Sequence, residues 1–232
     1  MSATRAGGNP ERAWPMGAHG RYDEPHVVSL GIRLRIVGKP VTKGPPFVAR
    51  EMALANLHGS VQARIVDVLH KASAMLGAQG IRHGTLGALA IGVYGWPRAT
   101  GDVDLLVGPE AWRRLGTGGL EPLIDFPEEI DGVHVDYLHP DVAGDFLIES
   151  LDRPLVTEGV PISPIEVVVC TKLLRMRMRD EADIVEVLKA GLVDANEIRA
   201  YLDEHTPMLV PRYVRLVERA AEEKREEAED GG

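Results

Sequence analysis

Gly95-Trp96-Pro97-Arg98-Ala99-Thr100-Gly101-Asp102-Val103-Asp104-Leu105-Leu106-Val107 reads as a turn that hands over to a short strand. Gly95 and Pro97 stop the segment before them, and Val103 to Val107 is a β-favouring apolar run. Side chains alternate along a strand, so Asp102 and Asp104 project from one face, roughly 7 Å apart, with Val103 on the other. Asp is disfavoured within strands, and two like charges on one face repel unless a cation neutralises them. Hard carboxylate oxygens suit Mg²⁺ or Mn²⁺; Mg²⁺ takes one or two protein carboxylates and keeps its other positions for water and substrate phosphates. The predicted chemistry is phosphoryl or nucleotidyl transfer. An Asp pair facing solvent at a strand end is the plainer alternative.

About thirty residues further on, Val133-His134-Val135-Asp136-Tyr137-Leu138 is a second apolar strand, bounded by Asp131-Gly132 and His139-Pro140. A hairpin-like return would set Asp136 beside Asp102 and Asp104. It would then serve as a third metal ligand and as candidate base for an attacking hydroxyl; a strand-edge charge facing water is the alternative. His134 and His139 flank it without the spacing of a zinc site. Upstream, a helical segment is expected from Thr85 to about Tyr94. Its Leu86-Gly87-Ala88 opening lets backbone amides approach phosphate oxygens at a helix N-terminus, although Gly87 would equally permit tight packing. Arg98 and Thr100 share the Asp102 face if extended, and either contact phosphate or, for Arg98, pair with Asp102. Trp96 can stack on a base or simply pack.

An amphipathic helix is expected from Ser60 as N-cap, through Val61, Ile65, Val68, Leu69, Ala72, Met75 and Leu76, to Gly77 and Gly80. Ser163-Pro164-Ile165-Glu166 has the form of a capping box with Pro at the first helical position. The helix it opens is expected to run through Lys172 and the Arg175 to Arg179 stretch, with Asp183 to Leu188 continuing it or beginning another. Ile165, Val168, Val169 and Met176 mark its inward stripe, and Lys172 falls on that stripe. A lysine on a buried face needs an anionic partner, either a triphosphate or a nearby acidic residue. Arg175, Arg177 and Arg179 form a solvated face that could dock an RNA or acidic acceptor. Helices are also expected at Ala195 to Leu202 and Tyr213 to Ala221, with the charged tail from Glu222 frayed.

Composition bounds the rest. Apolar residues are 44% and charged residues 26% of 232, the balance of a globular protein with one principal core. A net charge of −9 argues against a protein that coats nucleic acid through a broad basic surface. No run approaches the roughly 20 apolar residues of a membrane span, and the first 25 residues do not resemble a secretory signal. Cys170 sits among valines and is expected to be a buried, inert packing residue; a cytoplasmic setting follows. Residues 1 to about 25 lack hydrophobic period and are expected to be unstructured, while Ile32, Leu34 and Ile36 suggest a strand.

Leu86-Gly87-Ala88, thirteen residues, then Asp102-Val103-Asp104-Leu105 resembles the polymerase-beta-type nucleotidyltransferase signature. More narrowly, Arg98-Ala99-Thr100-Gly101-Asp102-Val103-Asp104 is similar to minimal nucleotidyltransferases grouped with the AbiEii toxins of bacterial abortive-infection and toxin–antitoxin systems. Lys172 and Arg179-Asp180 followed by Asp183 resemble their later-helix motif. The resemblance spans roughly residues 80 to 190. It implies an α/β (α+β) nucleotidyltransferase fold, a short mixed twisted sheet flanked by helices with a helical C-terminal part. The organisation expected is an extension over 1–50, a core over 51–160 and a helical region with a charged tail over 161–232.

The implied reaction is metal-dependent transfer of a nucleoside monophosphate from NTP to a hydroxyl of an RNA such as tRNA, a protein or a small molecule, with an antitoxin as a partner. Asp102, Asp104 and Asp136 would be the metal-binding and catalytic residues, and Gly87, Ala88, Arg98, Thr100 and Lys172 would bind the nucleotide. Relatives commonly carry Gly or Ser where this chain has Ala88, which keeps the amide but lacks a hydroxyl. That departure points to the alternative, a catalytically inactive nucleotide-binding or antitoxin-pairing module; a structural interaction protein is a third reading.

Overall fold

The fold is that of a computed structural model describing residues 53–116, 119–142, 144–175 and 177–230. The strand expected around Ile32 to Ile36 lies outside these residues, as does Met176. Ile65, Val68, Leu69, Ala72 and Leu76 bury one face of α1 (Ala63–Ala78). This helix begins later than Ser60 predicts, after Gln62 and without a side-chain cap. It ends where Gly80 adopts φ 69°, with Ile81 N–H donating to the Leu76 carbonyl and Gly80 N–H to that of Gly77. That pair of bonds is the Schellman closure.

Thr85 is not helical as expected. It closes β1 (His83–Thr85), and α2 (Gly87–Val93) starts two residues later. The reason is sheet pairing: the Thr85 carbonyl accepts from Ser163 N–H, and its hydroxyl donates to the Pro161 carbonyl. Next come β2 (Asp102–Val107) and a separate antiparallel pair, β3 (Trp112–Arg114) with β4 (Leu120–Pro122). β5 (Glu129–Ile130) and β6 (Val133–Leu138) form a hairpin. Its two turn residues, Asp131 and Gly132, have φ 50° and 72°, the left-handed pair that a tight hairpin requires. After α3 (Phe146–Ser150), β7 (Leu155–Thr157) and β8 (Val160–Ile162) make a second hairpin on Glu158 and Gly159, at φ 50° and 79°.

The six-stranded sheet runs β5-β6-β2-β1-β8-β7. It is mixed: β2 pairs antiparallel with β1 and parallel with β6, and β1 pairs parallel with β8. The hairpin-like return expected between β2 and β6 is therefore corrected to a crossover, since parallel neighbours cannot be joined by a tight turn. His83 lies opposite Val107 in the sheet, and its Nε2 is 2.8 Å from Ser73 Oγ on α1. So α1 covers the face carrying Val103, Leu105 and Val107, and the Asp102–Asp104 face is turned to the other helices.

On that side α2 packs against β2 and against α4 (Ile165–Arg175) and α5 (Met178–Lys189), behind which lie α6 (Ala195–His205) and α7 (Val210–Asp230). Three expectations are revised. Ser163 Oγ is buried without a hydrogen-bond partner, so the capping box is not made. The helix expected to continue past Arg175 stops there and restarts at Met178, after an extended Arg177. The tail beyond Glu222 is helical to Asp230, because Lys189 of α5 pairs with Glu223 and Glu227 and Lys224 donates to the Lys189 carbonyl at 2.9 Å. With seven α-helices around its sheet, the described chain is mixed α and β. Among the described residues no helix is long and apolar enough to cross a membrane.

Candidate active site

The parallel pairing of β2 with β6 places Asp104 directly opposite Asp136, and Asp102 opposite His134. All four side chains share the face that α1 leaves uncovered, because pairing partners and i, i+2 neighbours point the same way. Burial separates them: Asp104 is 7% exposed, whereas Asp102 is half-buried and Asp136 keeps 45% of its side chain in solvent. Each has a neighbour. Thr100 donates its hydroxyl to Asp102 Oδ1, Arg175 Nη1 donates to Asp104 Oδ1 at 3.1 Å, and His134 Nε2 lies 2.9 Å from Asp136 Oδ1. Burial raises the Asp104 pKa; Arg175 opposes that shift, while Asp102 and Asp136 add to it. Both neighbouring carboxylates thus act on Asp104. The exposed His134 is held above its usual range by its bond to Asp136.

Gly87 is fixed by this arrangement. Its φ of 64° lies in the left-handed region, and a Cβ there would stand 1.9 Å from Asp104 Oδ2. Leu86 N–H donates to the Asp104 carbonyl at 2.9 Å, so the opening of α2 is pinned to β2 beside the carboxylate. Ala88 is buried just inside that opening. Only glycine satisfies both the backbone angle and the close approach.

Behind the carboxylates lies a second charge group. Lys172, 3% exposed, donates to Asp183 Oδ2 at 2.6 Å and to Asp180 Oδ1 at 3.2 Å. Arg98 closes the group with a two-pronged bond to Asp183, Nε to Oδ1 at 2.6 Å and Nη2 to Oδ2 at 2.8 Å. For Asp183, burial alone would raise the pKa, but the Arg98 bond and Lys172 outweigh it and hold the carboxyl below its ordinary value. The second oxygen of Asp180 is buried with no partner. A small cleft with room for about one water molecule is lined by Leu86, Gly87, Leu138, Thr171, Lys172, Arg175 and Asp180.

Of the residues singled out in the sequence, Asp102, Asp104 and Asp136 come together on the sheet, with Gly87 of α2 against Asp104. Lys172 joins them at the cleft with its charge met by Asp180 and Asp183, the acidic-partner alternative. Arg98 pairs with Asp183 rather than Asp102, and Thr100 reaches Asp102. Trp96 packs against the core. Cys170 is buried, and burial pushes its thiol up to about 11. What the sequence reasoning passed over is Arg175, taken as part of a solvated face. Its signal was present: it lies three residues after Lys172, one helical turn along the same face.

The donor chemistry fits a hard divalent cation, since carboxylate oxygens in register on one face are what such an ion takes. Among the described residues, however, no three His, Cys, Asp or Glu side chains are gathered closely enough to hold a metal, and Arg175 engages one Asp104 oxygen. No protein-family model matches the chain, and no curated protein matches it.

Proposed function

We propose that this chain is a metal-dependent nucleotidyltransferase that moves a nucleoside monophosphate from NTP to an acceptor hydroxyl. The observation that carries the proposal is the register of Asp104 with Asp136 on adjacent parallel strands, against a glycine whose missing Cβ leaves room for the Asp104 carboxylate. Burying a carboxylate beside two others is costly without a cation, and proteins retain such arrangements at sites with a chemical task.

In this reading Asp102, Asp104 and Asp136 would hold Mg²⁺ or Mn²⁺, which would neutralise developing charge and ease ionisation of the attacking hydroxyl. The acceptor oxygen forms a bond to the α-phosphorus, the bond from that phosphorus to the β-phosphate oxygen breaks, and pyrophosphate leaves. Asp136, whose side chain is 45% exposed, would accept the hydroxyl proton. Thr100 orients Asp102. Gly87 and Ala88 offer backbone amides, and Lys172, positioned by Asp183 and Arg98, offers charge to the triphosphate. The acceptor classes that fit are an RNA such as tRNA, a protein or a small molecule. The likeness to AbiEii toxins adds an antitoxin partner, and the single cysteine, Cys170, a cytoplasmic setting.

A second reading is favoured by Arg175, which already neutralises Asp104, and by Ala88, which supplies no hydroxyl. The chain would then be a catalytically silent nucleotide-binding or antitoxin-pairing module. Incubating the protein with each labelled NTP, Mg²⁺ or Mn²⁺, total tRNA and cell lysate, beside the Asp102→Asn/Asp104→Asn double variant, separates the two. Label transferred by the unaltered protein alone is the result expected of the enzyme. No transfer, with a Mg²⁺-dependent rise in melting temperature on adding NTP, would replace it with the binding module. Loss of both signals would remove both readings.

A further inference from the structure

Three cationic side chains approach the carboxylate face, and they are not equally committed. Arg98 is held by two short bonds to both oxygens of Asp183. Lys172 is 3% exposed and shared between Asp180 and Asp183. Arg175 makes a single bond, 3.1 Å from Nη1 to one oxygen of Asp104, and its side chain is 30% exposed. A guanidinium carries five N–H donors in a planar fork, and the remaining donors of Arg175 make no hydrogen bond within the described residues. Arg175 also ends α4 and lines the cleft together with Gly87, Thr171, Lys172 and Asp180.

We propose that Arg175 is an exchangeable counter-ion, neutralising Asp104 in the metal-free protein and passing to the phosphates of the incoming nucleotide when a divalent cation takes Asp104. The inference rests on the nucleotidyltransferase reading and deepens it. A cation bound to Asp104 repels the guanidinium and withdraws the charge that held it. Phosphate oxygens of a nucleotide arriving at the exposed side of Arg175 supply a pair of acceptors to which the guanidinium fork can donate two bonds. Lys172 and Arg98 are less free to exchange, because each is tied to buried Asp183 and Lys172 to Asp180 as well, so releasing either one breaks a buried ion pair. The exchange makes metal and nucleotide act in order: Arg175 opposes binding of the ion alone and favours the ion with its nucleotide.

The test is direct Mn²⁺ binding, read from loss of the free-ion electron paramagnetic resonance signal, together with calorimetric binding of a non-hydrolysable NTP analogue with Mg²⁺. The proteins compared are the unaltered chain, Arg175→Gln, Arg175→Lys and Asp104→Asn. Removing the counter-ion is expected to tighten Mn²⁺ binding in the absence of nucleotide by about five-fold, the scale of a partly exposed ion pair, and to weaken binding of the analogue by a similar factor. Arg175→Lys, which keeps the charge without the fork, should leave Mn²⁺ binding near that of the unaltered chain while still weakening the analogue.

Asp104→Asn should abolish Mn²⁺ binding. If Mn²⁺ binding depends on Asp104 but is unchanged or weaker in Arg175→Gln, the counter-ion role is overturned and the metal site stands. Tighter Mn²⁺ with unchanged analogue binding would overturn transfer to the phosphates. Absence of Asp104-dependent Mn²⁺ binding in every variant would overturn both this inference and the reading beneath it.

Discussion

The two charge groups differ in what they lack. Lys172, Arg98, Asp180 and Asp183 bring two positive and two negative charges together, and Asp183 is bonded through both oxygens. Asp102, Asp104 and Asp136 bring three negative charges against one arginine, which touches one oxygen of one of them. The first group is balanced in charge and acts as a strut joining the turn before β2 to α4 and α5. The second carries unbalanced charge on a sheet face, the condition in which an added cation gains most. Charged residues a few positions apart in sequence, Arg98 and Asp102, therefore belong to different tasks.

The comparison can be broken most forcefully at Asp183. Asp183→Ala leaves Lys172 and Arg98 facing each other without their shared acceptor, and loss of about 3–5 kcal/mol is expected in urea unfolding, as for other broken buried pairs. A loss below about 1 kcal/mol would mean that the group is not a strut. Gly87→Ala comes next. The left-handed backbone angle alone costs about 1–3 kcal/mol in a non-glycine residue, and the new Cβ must displace the Asp104 carboxylate. Metal-dependent thermal stabilisation should vanish together with that modest loss.

The smallest effect is one of sign, measured on metal-free protein. Asp183 is held below its unfolded pKa, so its stabilisation is present above about pH 4 and fades as pH falls through the lower folded value. Asp104 is raised, so its relative contribution is greatest below about pH 4 and is lost as pH rises through the higher folded value. On acidification from neutrality the unaltered chain should gain stability relative to Asp104→Asn, and at still lower pH lose it relative to Asp183→Asn. Two slopes of the same sign would erase the distinction between the groups.

Much of this was legible in the residues themselves. Val133 to Leu138 forms a strand with the expected limits, and the strand expected from Val103 begins one residue earlier, at Asp102. A two-residue alternation fixes which side chains share a face but says nothing of which strand lies alongside. The direct Asp104–Asp136 opposition and the parallel sense of β2 and β6 were therefore hidden. The three-residue strands β1 and β8 are too short to show a period, and their pairing claimed Thr85 and Ser163 from the helices to which local signals had given them. For Lys172, the buried stripe required an anion without naming it. The answer depended on the stop at Arg175, which turns α5 back so that Asp180 and Asp183 face the lysine.

The parallel pairing of β2 and β6 has a consequence for the order of assembly. The chain between them must be laid down, with its two-stranded excursion and the β5 turn, before Asp104 acquires its neighbour, and that closure is entropically unfavourable until the contacts form. Closing it brings like charges together while Arg175 is still about forty residues downstream of Asp136. Until α4 emerges, Asp104 stands beside Asp102 and Asp136 with no arginine against it. The hydrophobic packing of β2 and β6 against α1 can proceed earlier, but the acidic face becomes a settled surface only when the C-terminal helices arrive to cover it.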